Sequence, residues 1–373
     1  MTSANLLYTD VEDDLRASVR SLLGDRSDPN DVLAKCESDQ PYNLELWHTL
    51  SAELGVAGLH VPEKLGGQGA SLRETAVVAE ELGRSVAPVP FLGSTVLATS
   101  ALLGCSSETA TALLERLATG AITGALAVPL STHSGAPFPD SVRATADGTL
   151  TGRVGAVADA VVAETLIIPA IGDSGPELYS VDTSADGVGV SPLRALDLTR
   201  GIADVELAGV RGTRLAEPEL ADGAVREALR TGAAVLASEQ LGLAQWCLDE
   251  TVRYVRERHQ FGRPIGSFQA LKHRLADLWL ELVSARAAAR HAADTMATGG
   301  ADAAISVATA QSYCAEVAVH AAEECIQLHG GIGMTWEHPA HLFLKRAKSD
   351  QLALGRPGQH RAALAELVDL PPS

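Results

Sequence analysis

The spacing of apolar positions divides this chain into three textures. Residues 1–120 show helical spacing, as in "ETAVVAEELGR" (74–84), where Glu and Arg sit between apolar residues three and four apart. A loop with Pro and three glycines, "VPEKLGGQGAS" (61–71), punctuates this region. Residues 121–220 change to short runs rich in β-branched residues, "AETLIIPA" (163–170), "ELYSVDT" (177–183) and "ADVELAGV" (203–210), separated by Gly and Pro. Asp147-Gly148, inside "SVRATADGTLTGRV" (141–154), predicts a tight hairpin. From 221 to 373 the helical period returns over long stretches. Ala244, Leu248, Val252 and Val255 share one face; Leu271, Leu275, Leu278 and Leu282 share another; Val307, Ala310, Cys314, Val317 and Ala321 form a third stripe. Alanine-rich stripes of this kind suit close-packed antiparallel helices and read as core. The pattern predicts an α+β protein with an N-terminal helical domain (1–120), a small antiparallel β domain (121–220) and a C-terminal helical bundle (221–373).

Composition narrows the function classes. The 373 residues suffice for two or three domains with a large core. The net charge of -18 argues against nucleic acid and against anionic membrane surfaces, but not against a small anion held by a few local arginines. No apolar run is long enough to span a bilayer, and the acidic N-terminus lacks a secretory pattern, so a cytoplasmic protein is expected. Cys36, Cys105, Cys247, Cys314 and Cys325 are scattered and contain no C-x-x-C pair, which fits reduced thiols better than disulfides or zinc.

Two C-terminal stretches carry chemistry. "YVRERHQFGRPIGSFQALKHRLADLWLELVSARAAARHAAD" (254–294) and "CIQLHGGIGMTWEHPAHLFLKRA" (325–347) together resemble the C-terminal signature of the acyl-CoA dehydrogenase family. "LGVAGLHVPEKLGGQGASLRETAVVAEELGR" (54–84) resembles its N-terminal helical region, so the resemblance spans nearly the whole chain. It implies that family's fold and a shared FAD site at a dimer interface. There one subunit holds the flavin ring while its neighbour reaches the diphosphate and adenosine. By the motif match, Arg258, Gln260, Phe261 and Gln269 would serve from the first stretch, and Gln327, Gly330 and Gly331 from the second. A diphosphate suits a permanently charged, fork-shaped guanidinium, and glycines let backbone approach a nucleotide. Taken alone, Arg258 reads as a surface ion-pair partner and Gly330-Gly331 as a helix C-cap.

The resemblance also exposes losses. The family removes an α-proton from a CoA thioester with a carboxylate while the β-hydride passes to flavin. One base position in the family falls here on Leu354, the other on Gly232, and neither can accept a proton. Glu239 lies two turns beyond Gly232, about 10 Å along a helix, and Glu227 and Asp350 are no better supported. Where the family carries a T-E-P-x-x-G-S-D-like segment lining flavin and thioester, this chain reads "LAVPLSTHSGAPFPDS" (126–141). Ala156 and Ala158 stand where the family has an aromatic and a hydroxyl residue against the flavin ring.

The diphosphate side is thus kept and the ring-and-base side lost. That asymmetry implies a chain with no catalytic residues of its own that completes the FAD site of a catalytic homologue. Actinobacterial members acting on steroid side-chain CoA thioesters are α2β2 heterotetramers of this kind, and the resemblance is to their non-catalytic subunit, with electron-transfer flavoprotein as the acceptor. The alternatives are a self-sufficient flavoenzyme with a relocated base such as Glu239 and a flavin-free scaffold. Weaker signals point nowhere further. His338 and His341 are spaced for one helix face, but no Cys, Asp or second His pair completes a site, so no metal is expected. "GGIG" (330–333) follows a long helix, not a strand, and is no dinucleotide fingerprint. Trp246, Trp279 and Trp336 are expected to pack, and His329 either touches a nucleotide or caps its helix.

Overall fold

The structure is a computed structural model and describes residues 6–370 apart from 39. Six helices build the N-terminal part: α1 (Asp10–Arg26), α2 (Pro29–Cys36), α3 (Leu44–Leu54), α4 (Leu72–Ser85), α5 (Thr99–Leu103) and α6 (Glu108–Ala118). Local sequence explains their ends. Thr9 with Glu12 and Ser71 with Glu74 form capping boxes at the starts of α1 and α4. Gly55 closes α3 in the left-handed conformation. A buried π-helical stretch, Phe91–Ala98, leads into α5.

Eight strands follow: β1 (Gly124–Leu126), β2 (Val142–Ala144), β3 (Thr149–Ala158), β4 (Thr165–Gly172), β5 (Gly175–Asp182), β6 (Val188–Pro192), β7 (Ile202–Arg211) and β8 (Thr213–Ala216). They form one sheet in the order β6-β7-β3-β2-β4-β5-β8, with β1 beside β4. Pairing is antiparallel except at β1–β4 and β2–β4. The Asp147-Gly148 turn joins β2 to β3; Gly148 has φ +81°, and the Asp147 carboxylate accepts from Thr145 and Thr149. Val154, Leu166, Ile168, Tyr179 and Val205 give the sheet its own core.

The C-terminal part is built on α7 (Pro218–Glu257), a helix of 40 residues with Pro at its first turn. A hairpin, β9 (His259–Gln260) and β10 (Arg263–Pro264), leads into α8 (Gln269–Thr298), followed by α9 (Ala303–His329), α10 (Ala340–Leu352) and α11 (Pro357–Leu367). Two glycines let α4 and α7 touch by their backbones. A Cβ on Gly83 would lie 2.2 Å from the Glu239 carbonyl oxygen, and one on Gly242 1.9 Å from that of Glu80. The architecture matches the expected fold class, a helical part, a mainly antiparallel sheet and a helical bundle. Among the described residues no helix is long and apolar enough to cross a membrane.

Buried charges join the three parts. Arg200, before β7, donates to Asp350 of α10 at 2.5 Å and to Glu239 of α7 at 2.6 Å. Arg346 reaches Asp197 at 3.1 Å and Glu239 at 3.2 Å. Tyr42 donates to Asp159 at 2.5 Å, and the Gly93 N–H donates to the same carboxylate. Burial, then the neighbouring Glu239 carboxylate, pushes Asp350 well above the usual carboxylate range.

Candidate functional site

The motif residues of the two C-terminal stretches gather at one end of the bundle. Arg258 is the residue after the last turn of α7, and Gln269 is the first of α8. Gln327 lies in the last turn of α9, and Gly330 and Gly331 follow it. Tyr254 ties the ends of α7 and α9 together: its hydroxyl donates to the His329 carbonyl at 3.3 Å and its ring stacks on the His329 imidazole. Arg274 on α8 pairs with Glu324 on α9 at 2.5 Å, which brings the third helix end alongside.

This end is open. Arg258, Gln260, Phe261, Gln269, Gln327, Gly330 and Gly331 are all exposed, and Phe261 is 90% exposed. Among the described residues the Arg258 guanidinium has no carboxylate partner within ion-pair distance. The ion-pair reading of Arg258 therefore finds no partner among the described residues. Gly330 is the C-cap, with φ +62°, a conformation that disfavours a side chain. A Cβ on Gly330 or Gly331 would meet nothing within 4 Å, so neither glycine is required by packing. A guanidinium, a turn of two glycines without side chains and three carboxamides facing solvent suit a diphosphate and its nucleoside.

Beneath the turn lies a cluster that sequence spacing did not reveal. His338 does not pair with His341 to form a ligand set; it meets His329, with ring centroids 4.2 Å apart, and Glu250 of α7, with Nε2 3.4 Å from Oε1. The fold thus brings His338 together with a second histidine and a carboxylate that helical spacing does not link to it. The partners are distant in sequence, and helical period alone does not say which turns of α7 and α9 face each other. His329 neither caps its helix with its side chain nor reaches the exposed surface: its ring is buried, and Nδ1 lies 2.6 Å from the Cys325 carbonyl. Burial opposes charge on His329, but Cys325 and Glu250 outweigh it and push the imidazole up to about 9. The imidazoles of His329 and His338 in turn hold the Glu250 carboxyl well below its usual range.

The other end of the motif match is closed. Gly232 and Leu354 are both buried, and they converge: a Cβ on Gly232 would lie 2.9 Å from Leu354 Cδ1 and 2.6 Å from Leu97 Cδ2. The Leu354 N–H donates to the Leu130 carbonyl at 2.7 Å, and the Leu130 N–H donates to the Ala156 carbonyl at 3.0 Å. A Cβ on Gly355 would press on His133 and His360 at 2.8 Å. Thus β3, the β1–β2 loop, the turn after α10 and α7 are in direct contact where the resemblance places flavin ring, thioester and base. The substitute carboxylates do not reach this point free. Glu239 and Asp350 are engaged by Arg200, and Glu227 is exposed and pairs with Arg230 at 2.8 Å.

The tryptophans divide. Trp246 packs, stacking on Phe343 with centroids 3.6 Å apart. Trp279 and Trp336 are 53% and 58% exposed, although Trp336 still packs edge to face with His341, centroids 4.5 Å apart, and beneath the Lys345 ammonium. A cavity of about 480 Å³ also opens between α4, α5, α7 and α8, lined by His60, Ser100, Leu103, Glu227 and Thr231 among others. His60 faces Thr75 at 3.2 Å and Ser100 at 3.4 Å, and burial pushes its imidazole down to about 4.

With fold and site in place, comparison with known proteins assigns the class. Residues 9–121 match the family model "Acyl-CoA dehydrogenase, N-terminal domain", and residues 223–368 match "Acyl-CoA dehydrogenase, C-terminal domain". The chain belongs to the acyl-CoA dehydrogenase family. It is 39% identical over 343 residues to the acyl-CoA dehydrogenase IpdE2 of Mycobacterium tuberculosis, covering 92% of each chain. It also superposes on a chain of the ChsE4-ChsE5 complex from Mycobacterium tuberculosis with a TM-score of 0.86 at 28% identity, over 99% of this chain and 100% of that one. A chain of the Tcur3481-Tcur3483 steroid ACAD G363A variant matches with a TM-score of 0.85 at 28% identity, over 96% and 98%.

Proposed function

We propose that this chain is the non-catalytic, FAD-site-completing subunit of a heteromeric acyl-CoA dehydrogenase that forms an α,β double bond in a CoA thioester. The carrying observation is the contrast between the open, cationic, glycine-bearing end at Arg258 and Gly330 and the filled end at Gly232 and Leu354. FAD, where bound, supplies the hydride acceptor. Arg258 would neutralise its diphosphate, the Gly330–Gly331 turn, bare of side chains, would let the backbone approach it, and Gln260, Gln269 and Gln327 would hold the nucleoside side, with Phe261 against it. No residue of this chain moves the substrate's α-proton. That task falls to a homologous partner with an intact carboxylate, the two chains forming an α2β2 assembly. Exposed Phe261, Met334 and Trp336 around the open end, and Trp279 and Leu280 on α8, suit burial against such a partner. The likeness to a complex and to a steroid enzyme supports a bulky, steroid-derived acyl group, with β-oxidation in the cytoplasm as the setting and an electron-transfer flavoprotein as acceptor.

The test is Arg258→Ala in the complex co-expressed with its catalytic homologue. Loss of one charge-assisted contact predicts FAD retained about 10- to 100-fold less tightly, equivalent to about 1.5–3 kcal/mol. Unchanged FAD affinity would remove the assignment.

A further inference from the structure

The Glu250–His329–His338 cluster has the makings of a metal site, and its position beneath the Gly330–Gly331 turn gives it something to do. Three side chains from three separate segments converge: Glu250 from α7, His329 from the last residue of α9, and His338 from the loop before α10. One ligand atom from each lies within 4.8 Å of the others. Glu250 Oε1 is 3.4 Å from His338 Nε2 and 3.9 Å from His329 Nε2. Ligands bound tetrahedrally at about 2.1 Å stand about 3.4 Å apart, so closure of the triangle needs small shifts.

The orientation of His329 is the independent observation. Its Nδ1 is 2.6 Å from the Cys325 carbonyl, an acceptor, which fixes the proton on Nδ1. That is the outer contact that commonly orients a ligating imidazole. The opposite nitrogen, Nε2, is fully buried, aims into the cluster and has no hydrogen-bond partner. A buried polar atom without a partner is costly unless something completes it. Glu250 supplies the negative charge; Arg253 one turn on donates to its Oε1 at 2.5 Å and to its Oε2 at 2.9 Å, a surface pair the ion must loosen, and the limited exposure of Glu250 and His338 provides the route in.

We propose that Glu250, His329 and His338 bind a borderline divalent transition-metal ion, zinc or cobalt, with water in the fourth position, clamping the glycine turn to α7. The metal-free form has a hydrogen-bond arrangement that the ion must displace. The Ala340 N–H faces His338 Nδ1 at 3.2 Å, which puts the His338 proton on Nε2, toward Glu250. On binding, His329 releases its Nε2 proton to solvent, His338 ligates through Nε2 while its own proton moves to Nδ1, and the Ala340 contact opens. His338 lies outside any helix, in the segment between the glycine turn and α10, where this rotation disturbs little regular structure. His carboxylate sets of this type favour zinc and its neighbours over magnesium or calcium, which take oxygen ligands. The inference stands apart from the FAD assignment, because both its ligands and its readout are independent of flavin.

The test is titration of the purified, metal-stripped chain with Co²⁺ at pH 7.5, followed by visible absorption and thermal melting. One Co²⁺ per chain with the intense visible bands of a four-coordinate site is expected, and Zn²⁺ should displace it and raise the melting temperature. Glu250→Gln and His338→Gln should each weaken Co²⁺ binding at least tenfold while leaving the metal-free melting temperature within a few degrees. His133→Gln, in a separate histidine pair, should leave it unchanged. Absence of the visible bands, or bands that survive both cluster substitutions, would overturn the proposal.

Discussion

One helix carries two opposite fates. At Gly232, α7 is packed over: Leu97 and Leu354 press on it, and every residue from 231 to 244 is buried. About 39 Å further along, at Arg258, the same helix ends in an exposed guanidinium beside two glycines that no packing requires. Decay of an unused enzyme would erode both regions without distinction. Here the first has been filled with apolar contact and the second left open and cationic. On the proposed reading, with FAD shared between subunits, the two regions of one chain would belong to two different cofactor sites. One can be lost while the other remains.

The comparison can be broken most forcefully through the buried charges that hold the closed region together. Arg200→Ala would strip buried Asp350 of its guanidinium and leave Glu239 with Arg346 as its cation. The expected loss is about 3–5 kcal/mol, read by denaturant unfolding. Arg258→Ala, at the open end, should by contrast leave stability within about 0.5 kcal/mol while altering FAD retention. Equal effects of the two would erase the distinction. Next comes Leu354→Ala, which opens the filled end. A loss of about 2–5 kcal/mol is expected, with no dehydrogenase activity gained, because no carboxylate faces the space created. Activity appearing in that variant would mean the closed end is a plug over working chemistry.

The smallest effect concerns pH. The folded His60 imidazole lies near 4 against about 6.5 when unfolded, because burial disfavours its charge. The unfolded chain therefore binds the extra proton first. Its contribution is complete above about pH 6.5 and is lost as the pH falls from there toward 4. His60→Gln should flatten the stability profile over that window, measured by urea unfolding at several pH values. A profile identical to that of the unaltered chain would contradict this assignment.

Much of the fold was legible because long helices and short strands have different periods. The stripe through Val307 is buried as expected, that through Ala244 is buried except for partly exposed Val252, and Gly148 makes its turn. The Leu271 stripe is only half legible. Leu278 and Leu282 are buried, but Leu271 and Leu275 are partly exposed, beside a face where Trp279 and Leu280 are open to solvent. The gathering of Arg258 and Gly330 at one end follows from motif resemblance, since nothing in the spacing relates α7 to α9. The contact between Leu354 and Leu130 could not be read at all. It depends on a backbone hydrogen bond between segments more than two hundred residues apart, at a leucine with φ +53°. The Glu250–His329–His338 cluster was missed for a related reason, as its members only meet once two helices pack in register.

The account's central claim is that this chain is half of a shared site. The most direct measurement is the ratio of FAD to protein after size exclusion, for the chain alone and after co-expression with its catalytic homologue. The account predicts almost no FAD on the lone chain and one FAD for every two chains in the mixed complex. One FAD per chain on the lone protein would contradict it.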